Sequence, residues 1–239
     1  MKKDVLQDLT SSIEFFLDQS IFTDDNAIQD LNKHLRLGDL IVLRNAFQSA
    51  FAEHMFDCLD RFSQWQLYEG YEKHFHYHHH NIYESDLFPD DLNRCKDIFA
   101  SEATKAFIRR LSQRECLGRT ALSGSWYQPG DYSLPHNDLV YHSDERREVA
   151  FVWNLTKTWQ ADWGGEFYWC KKGRSIAPTF NMLLLFNVDE HSKHFVTQVA
   201  PHAQGKRLAI SGWWYGKSDG KDEDFASDVN EENPRIEII

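Results

Sequence analysis

The stretch Leu122–Val140 reads LSGSWYQPGDYSLPHNDLV and marks a change in the hydrophobic period of the chain. From here on, short runs rich in β-branched and aromatic residues alternate with turn signals such as Pro129-Gly130 and Gly164-Gly165. These runs predict strands over Ser123–Gln128, Tyr132–Val140, Glu148–Thr156, Glu166–Trp169, Met182–Asn187, His194–Val199 and Arg207–Tyr215. Strands at this spacing indicate a sandwich or a barrel, and we expect a jelly roll.

The chain before this stretch shows helical periodicity instead. Apolar residues at spacings of three and four predict helices over Val5–Phe22 and Phe47–Phe62, and a third helix is predicted over Ser101–Arg114. The short apolar run Asp39–Leu43 predicts a strand that leads into the second helix. The expected fold is therefore mostly β with N-terminal helices, an α+β arrangement whose helices pack on one sheet of the jelly roll.

The length of 239 residues fits a single domain, residues 1–239. Within it we expect a mainly helical N-terminal support region at 1–121, a β core at 122–217 and an acidic C-terminal tail at 218–239. The run Asp219–Asp224 and the pair Glu231-Glu232 give this tail much of its charge, which is typical of a solvated segment. The sequence assigns the tail no function.

Charge and cysteine content bound the partners and the location. The formal net charge of −11 argues against a nucleic-acid partner bound through a broad phosphate-contacting surface. The four cysteines are widely spaced and form no CxxC pair, and the chain shows no signal-peptide pattern, so we expect reduced thiols in a cytoplasmic protein. No apolar stretch approaches the roughly 18 residues of a membrane span, and we expect no membrane partner.

A metal site is predicted from histidines and a carboxylate. His136 and Asp138 are separated by one residue, so both side chains project from the same face of an extended segment. A second such pair, His142 and Asp144, competes from a charged stretch. The third ligand must come from a distant strand, and His194 is preferred because it begins a β-like run. The alternatives His191 and His202 lie in a polar turn and in a loop after Pro201.

Two imidazoles and one carboxylate on one face of an iron leave positions open for a co-substrate and for oxygen, the arrangement of non-haem Fe(II) oxygenases. Arg207 opens a strand with an apolar and aromatic end, so its guanidinium is expected at a partly buried position that needs an anion. Its planar fork suits a carboxylate held at two points, such as the far carboxylate of 2-oxoglutarate.

With these residues in place, the segment from Ser123 to Gly216 resembles the prolyl-4-hydroxylase-like group of Fe(II)- and 2-oxoglutarate-dependent dioxygenases. Several pieces match in order and spacing: Tyr127-x-x-Gly130, His136-x-Asp138, Trp163-Gly164-Gly165-Glu166, Phe180–Phe186, His194-x-Val196-x-x-Val199 and Arg207-Leu208-x-Ile210-Ser211-Gly212-Trp213. They cover about two-fifths of the chain, and the N-terminal half matches only in its helical layout.

The resemblance implies a double-stranded β-helix, a cupin-like jelly roll, with iron held by His136, Asp138 and His194. It implies that Arg207 binds the distal carboxylate of 2-oxoglutarate with help from the Tyr127 hydroxyl. Fe(II), 2-oxoglutarate and O2 would then be required, with ascorbate as a candidate accessory reductant. The implied reaction hydroxylates an unactivated C–H bond while 2-oxoglutarate loses CO2 and becomes succinate.

Three readings of function follow. The first is hydroxylation of a prolyl or other residue in a protein or peptide, and the second is hydroxylation of a small molecule such as a free amino acid, a sugar acid or a natural-product intermediate. The third is a non-catalytic binding or sensing module on the same fold. The sequence does not choose the substrate or the oligomeric state.

Two further sets of residues have open roles. The His-rich segment His74–His80 is expected to form a polar loop or the edge of a lid, because no carboxylate or cysteine at ligand spacing completes a metal site there. Trp213, Asn154 and Trp153 are candidates either for lining the pocket or for ordinary packing in the barrel.

Overall fold

The structure, a computed structural model, describes residues 12–21, 25–72, 75–83, 85–140, 145–217 and 236–238. Its α-helices are α1 (Asp25–Arg36), α2 (Ser49–Arg61), α3 (Asp90–Ala100) and α4 (Glu102–Ser112). Its strands are β1 (Ile41–Arg44), β2 (Gln66–Glu72), β3 (Phe75–Ile82), β4 (Thr120–Tyr127), β5 (Tyr132–His136), β6 (Glu145–Asn154), β7 (Phe167–Trp169), β8 (Arg174–Ile176), β9 (Met182–Asn187), β10 (His194–Val196), β11 (Arg207–Lys217) and β12 (Ile236–Ile238).

The twelve strands form one curled antiparallel sheet in the order β12-β1-β9-β6-β11-β4-β3-β5-β10-β7-β8, and β2 pairs with β3. Strand β3 pairs with both β4 and β5 and so connects two parts of the sheet. The long half consists of β12, β1, β9, β6, β11 and β4, and the short half consists of β5, β10, β7 and β8. Side chains of the two halves meet in one hydrophobic cluster that includes Val42, Leu184, Phe167 and Trp169. This curled sheet is the jelly-roll-like core that the sequence predicts.

The helices cover the outer face of the long half. Helix α2 buries Phe51, Ala52, Met55 and Leu59, which recur at helical spacing and so form a single apolar stripe. Phe51 packs against Trp153 of β6, with ring centroids 5.1 Å apart. Burial of this aromatic layer holds the helices to the sheet, because removing apolar surface from water is the main stabilising contribution to folding.

Buried amides connect the helices to the strands beneath them. The Asn187 side chain donates to the carbonyl of Leu35 in α1 over 3.0 Å and to the carbonyl of Ser112, at the end of α4, over 3.3 Å. The Trp214 indole donates to the carbonyl of Phe99 in α3 over 2.8 Å. These bonds go to backbone carbonyls in the last turns of the helices, where no donor within the helix is available.

The predicted helix over Val5–Phe22 is wrong in its described part, and residues 1–11 lie outside the described residues. Residues 12–21 form two short 3₁₀ helices, Ile13–Phe15 and Gln19–Ile21. Asp18 prevents a continuous helix, because its carboxylate accepts from the amide of Ser20 and its own amide donates to the carbonyl of Ala46. Tertiary contacts therefore replace the bonds of an α-helix here.

The His-rich segment is not a loop. Its described part belongs to β3, in a hairpin with β2, whereas His74 lies outside the described residues. The region 1–121 thus contributes three strands as well as helices. In the predicted acidic tail, Ile236–Ile238 pairs with β1, and residues 218–235 lie outside the described part of the chain. Within that described part, no helix is both long enough and apolar enough to cross a membrane.

Candidate metal centre

Three potential metal ligands meet inside the curled sheet. His136 ends β5, His194 begins β10, and these two residues are register partners in adjacent strands. The nearest nitrogen and oxygen atoms of His136, Asp138 and His194 all lie within 4.8 Å of one another. Nε2 of His136 lies 3.5 Å from Oδ1 of Asp138, and Nε2 of His194 lies 3.6 Å from Oδ2. The structure therefore brings together the three residues that the sequence singled out.

Backbone carbonyls fix the tautomers of both histidines. Nδ1 of His136 lies 2.7 Å from the carbonyl of Leu134, and Nδ1 of His194 lies 2.8 Å from the carbonyl of Ser192. A carbonyl oxygen only accepts, so each Nδ1 carries the proton and each Nε2 presents a lone pair toward Asp138. Metal-binding histidines are commonly oriented in this way. Two such nitrogens and one carboxylate form a donor set that fits Fe(II).

The protonation states suit this donor set. Burial, and next the neighbouring His194, lower the pKa of His136 to about 4, so His136 is neutral at physiological pH. Burial opposes ionisation of Asp138, but His194, His136, Arg147 and the Trp213 indole together hold its pKa below the usual value. The cluster therefore offers a neutral nitrogen from His136 and an anionic oxygen from Asp138, beside Nε2 of His194.

Arg207 lies in the same cavity as the three ligands. It is 2% exposed, and its Nε donates to the carbonyl of Gly165. Burial lowers the pKa of the guanidinium to about 10, and among the described residues no carboxylate forms an ion pair with it. A buried cation without a protein anion is costly, so this position fits the carboxylate of a bound ligand.

Tyr127 is the register partner of Arg207, and its ring centroid lies 4.4 Å from the guanidinium carbon. Its other neighbour is His79 of β3, a residue that the sequence reasoning placed in a loop. Burial lowers the pKa of His79 to about 3, with Arg207 as the next cause. The sequence signal that could have identified His79 is the alternation of histidines at positions 76, 78 and 80. In a strand these three face one side, and residue 79 faces the opposite side.

The enclosing cavity has a volume of about 640 Å³. Apart from the cluster and Arg207, its wall includes the aromatic side chains Tyr68, Tyr77, Tyr83, Tyr127 and Trp213. Trp213 is thus a lining residue, whereas Trp153 is fully buried in the core against Phe47 and Phe51, and Asn154 is 1% exposed.

The alternative third ligands, His191 and His202, do not reach the cluster. The His191 side chain is 70% exposed beside Glu190, and His202 lies on the surface 3.2 Å from Asp162. His142 and Asp144 lie outside the described residues.

Comparisons with known proteins agree with this geometry. A family model for the 2OG-Fe(II) oxygenase superfamily matches residues 122–215. The chain is 29% identical over 160 residues to Prolyl 3-hydroxylase OGFOD1 from Mus musculus, which covers 60% of this chain and 28% of that protein. It is 30% identical over 138 residues to Prolyl 3-hydroxylase sudestada1 from Drosophila melanogaster, covering 52% of this chain and 24% of that protein. The chain thus spans about a quarter of the length of these curated relatives.

Solved structures share the fold. A Trichoplax adhaerens prolyl hydroxylase, in complex with a peptide fragment of the hypoxia inducible factor oxygen degradation domain, superposes with a TM-score of 0.60 at 17% identity, covering 80% of this chain and 89% of that one. A Pseudomonas putida prolyl-4-hydroxylase gives a TM-score of 0.55 at 18% identity, covering 78% and 97%. Residues 122–215, which carry the His-Asp-His cluster and much of the curled sheet, are thus similar to the 2OG-Fe(II) oxygenase superfamily.

Proposed function

We propose that this chain is an Fe(II)- and 2-oxoglutarate-dependent hydroxylase that acts on a prolyl residue in a protein or peptide. His136, Asp138 and His194 hold the iron, and Arg207 with Tyr127 holds 2-oxoglutarate. The observation that carries the proposal is that one cavity holds both the three-ligand cluster and a buried arginine for which the described residues supply no ion-pair partner. Bound Fe(II) with 2-oxoglutarate and O2 supplies the oxidising power to insert one oxygen atom into a C–H bond, with succinate and CO2 as co-products.

The ligands are held rigidly before any metal arrives. His136 and His194 are oriented by the carbonyls of Leu134 and Ser192, so binding of a metal requires no change of tautomer. Because His136 is already neutral at physiological pH, a metal displaces no proton from it. Neither a tautomer change nor proton release at His136 therefore adds to the cost of binding a metal ion here.

Arg207 provides the selectivity for a dicarboxylate. Its Nε is engaged by the Gly165 carbonyl, and its guanidinium carbon lies over the Tyr127 ring, so the side chain cannot swing toward solvent. A fixed fork of donors binds a carboxylate at two points and gains more from it in a buried site than in water. A keto acid without a second carboxylate lacks this interaction.

A prolyl substrate is supported by two observations. Curated relatives of the chain are named prolyl 3-hydroxylases, and the wall of the cavity includes Tyr68, Tyr77 and Tyr83. Aromatic rings provide apolar contact area for a pyrrolidine ring, and their hydroxyl groups provide hydrogen bonds for the amides beside it.

We also propose a reducing, cytoplasmic location, in keeping with four free cysteines, and a single catalytic domain. The hydrophobic core supports the latter, because it combines Phe51 and Phe99 of the helices with Phe151 and Trp214 of the sheet. Removing the support region 1–121 would expose this core to water.

The test is an anaerobic titration of metal-free protein with Fe(II) and then 2-oxoglutarate, followed by the visible charge-transfer band of the chelate. Asp138→Ala and Arg207→Ala are measured beside the wild type. We expect the band in the wild type, loss of iron binding in Asp138→Ala, and retained iron with at least about tenfold weaker 2-oxoglutarate binding in Arg207→Ala. Iron bound by the wild type without any band would contradict the assignment of the co-substrate.

The substrate is tested with synthetic peptides that each contain one central proline, against matched peptides with alanine at that position. Mass spectrometry should find one added oxygen atom on proline, together with one succinate per turnover. Hydroxylation of free amino acids in place of every peptide would favour the small-molecule reading, and 2-oxoglutarate binding without turnover would favour a sensing module.

A further inference from the structure

A β-bulge interrupts the pairing of β6 with β11 near the metal centre. Trp214 is paired with Val149, but the next residue, Tyr215, is paired with Arg147, so Glu148 is the extra residue on β6. A bulge of this kind reverses the facing of the residues on one side of it, because side chains alternate along a strand. Bulges often change the direction of a side chain next to an active site.

The alternation shows what the bulge changes. Ala150 belongs to the hydrophobic cluster between the two halves of the sheet, on the side of Trp213. In a regular strand Glu148 would face the same side as Ala150, and Arg147 would face the helices. Instead, the 1%-exposed carboxylate of Glu148 lies 3.8 Å from Arg114, after α4, and Arg147 lines the cavity. The extra residue thus gives the cavity a guanidinium where regular pairing would give it a carboxylate.

Arg147 contacts both the backbone and the side chain of Asp138. Its Nη1 donates to the Asp138 carbonyl over 3.2 Å and lies 3.6 Å from Oδ1 of the same residue. Asp138 has a φ of 64°, a left-handed conformation that a residue with a β-carbon adopts only at a cost. A donor on its carbonyl and a charge near its carboxylate offset that cost and fix the residue in this conformation.

Strand β11 in turn fixes Arg147. The guanidinium carbon lies 3.8 Å from the centre of the Trp213 ring, and Nε donates to the Tyr215 hydroxyl over 3.1 Å. Trp213 also donates its indole N–H to Oδ2 of Asp138 over 3.0 Å. Asp138 is therefore engaged on one oxygen by an indole and on the other by a guanidinium that lies on the same indole.

We propose that Arg147 is the positioning residue of the metal centre, placed there by the bulge, and that with Trp213 it sets which conformer of Asp138 meets the metal. This inference rests on the proposed function, since it concerns the same ligand. A lysine would not replace Arg147, because one ammonium cannot donate to the Tyr215 hydroxyl and the Asp138 carbonyl while lying flat on an indole.

The experiment measures the affinity of metal-free protein for Fe(II) under anaerobic conditions, by competition with a chromogenic chelator. Arg147→Ala is expected to weaken binding by about 10- to 100-fold, the range found for residues that orient metal ligands. Arg147→Lys should remain close to Arg147→Ala. Arg146→Ala is the matched control, because Arg146 is the adjacent arginine and pairs with Glu148, and it should bind Fe(II) as the wild type does.

Guanidinium ion added to Arg147→Ala separates positioning from packing. Recovery of Fe(II) affinity supports the proposal, whereas a loss that guanidinium does not reverse would assign the effect to packing and overturn it. Should Arg147→Ala fail to fold, Trp213→Phe keeps an aromatic ring, smaller than the indole, beneath Arg147 and removes the indole donor. Because it loses the bond to Oδ2 of Asp138, this variant should also weaken Fe(II) binding.

Asp138→Ala distinguishes failure of this inference from failure of the proposed function. If Asp138→Ala loses Fe(II) while Arg147→Ala and Trp213→Phe bind it as tightly as the wild type, the positioning role is wrong and the metal centre stands. If Asp138→Ala binds Fe(II) like the wild type, the metal centre itself is wrong, and the positioning role falls with it.

Discussion

The imidazole of His79 lies flat against the phenol ring of Tyr127, with ring centroids 4.8 Å apart and planes inclined by 4°. Tyr127 in turn lies beneath the guanidinium of Arg207, so neighbouring strands β3, β4 and β11 each contribute one layer of a stack. Asn81 keeps the imidazole in place through a contact of 3.3 Å with its Nε2. The hairpin of β2 and β3 therefore supports the part of the cavity assigned to 2-oxoglutarate.

Replacing His79 tests this support. His79→Ala removes the layer behind Tyr127 and is expected to weaken 2-oxoglutarate binding by about three- to tenfold, the energy of one aromatic pair. His79→Phe keeps a flat ring and should bind nearly as the wild type does. Calorimetric titration of the metal-loaded protein without O2 measures both. His78→Ala is the control, since His78 faces Asp131 on the other side of the strand, and an equal loss in that variant would contradict the idea.

Gly165 offers a second test of the Arg207 site. It has a φ of 66°, and a β-carbon there would lie 2.9 Å from Cδ of Arg207. Gly165→Ala should displace the guanidinium and weaken 2-oxoglutarate binding by about tenfold or more while Fe(II) binding is unchanged.

Gly173 is the matched position for this substitution, with a φ of 61° and only the Tyr168 hydroxyl near a β-carbon, at 3.6 Å. Gly173→Ala carries the same backbone strain and should cost stability alone. Equal 2-oxoglutarate affinities in the two variants would show that Arg207 tolerates the displacement.

The buried histidines predict a pH dependence of stability. Burial lowers the pKa of His79 to about 3, and unfolding returns it to the ordinary 6.5. Below pH 6.5 the unfolded chain therefore binds more protons than the folded protein does. The contribution of neutral His79 to the free energy of unfolding is fully present above pH 6.5 and is lost as the pH falls toward 3.

For metal-free protein, the loss from His79 between pH 7 and pH 5 is about 2 kcal/mol. His79→Phe has no such group, so its unfolding free energy should fall less over this interval by about that amount. Urea unfolding at the two pH values measures the difference. An equal fall of the unfolding free energy in both proteins would mean that His79 takes up a proton in the folded state as readily as in the unfolded chain.

A stability prediction concerns Asn181, which connects the sheet to the segment before α2. Its Oδ1 accepts from the amide of Phe47 and from the Trp153 indole, and its Nδ2 donates to the carbonyl of Phe47 over 2.7 Å. It also has a φ of 57°, which asparagine tolerates better than most residues.

Asn181→Ala should lower the free energy of unfolding by about 2–4 kcal/mol, because buried partners lose their hydrogen bonds. Thr179→Ala is the control two residues earlier, where the hydroxyl bonds only the nearby Ala177 carbonyl on the surface, and it should change stability by less than about 0.5 kcal/mol. Similar urea midpoints for both variants would exclude a bridging role for Asn181.

Much of the β core could be predicted from sequence, because each strand has its own local signal. Met182–Asn187 is an apolar run that ends at an asparagine, and its predicted bounds coincide with β9. The grouping of His194 with His136 and Asp138 was also accessible, since only one of three candidate histidines begins a strand. Their roles as ligands stay predictions for the iron titration to decide.

The sequence failed where tertiary contacts override local preference. Residues 12–21 have the periodicity of a helix, but the amide of Asp18 bonds to the carbonyl of Ala46, and the amide of Gln48 bonds to the carbonyl of Phe16. These bonds to residues 46–48 replace the backbone bonds of a helix. Likewise, the polar composition of residues 75–82 masked a strand whose inward residue, His79, packs on Tyr127. No local sequence pattern indicates the bulge at Glu148, so the sequence could not predict that Arg147 faces the cavity.

The bulge makes strand length a determinant of the chemistry beside Asp138. Deleting the single codon for residue 148 would make the pairing regular and leave Arg147 opposite Tyr215, facing the cavity, whereas regular pairing that keeps Glu148 would place the carboxylate there and turn Arg147 toward the helices. Alignments that place a gap at this point, or designs that transplant β6 onto another scaffold, therefore have to count residues as well as match them.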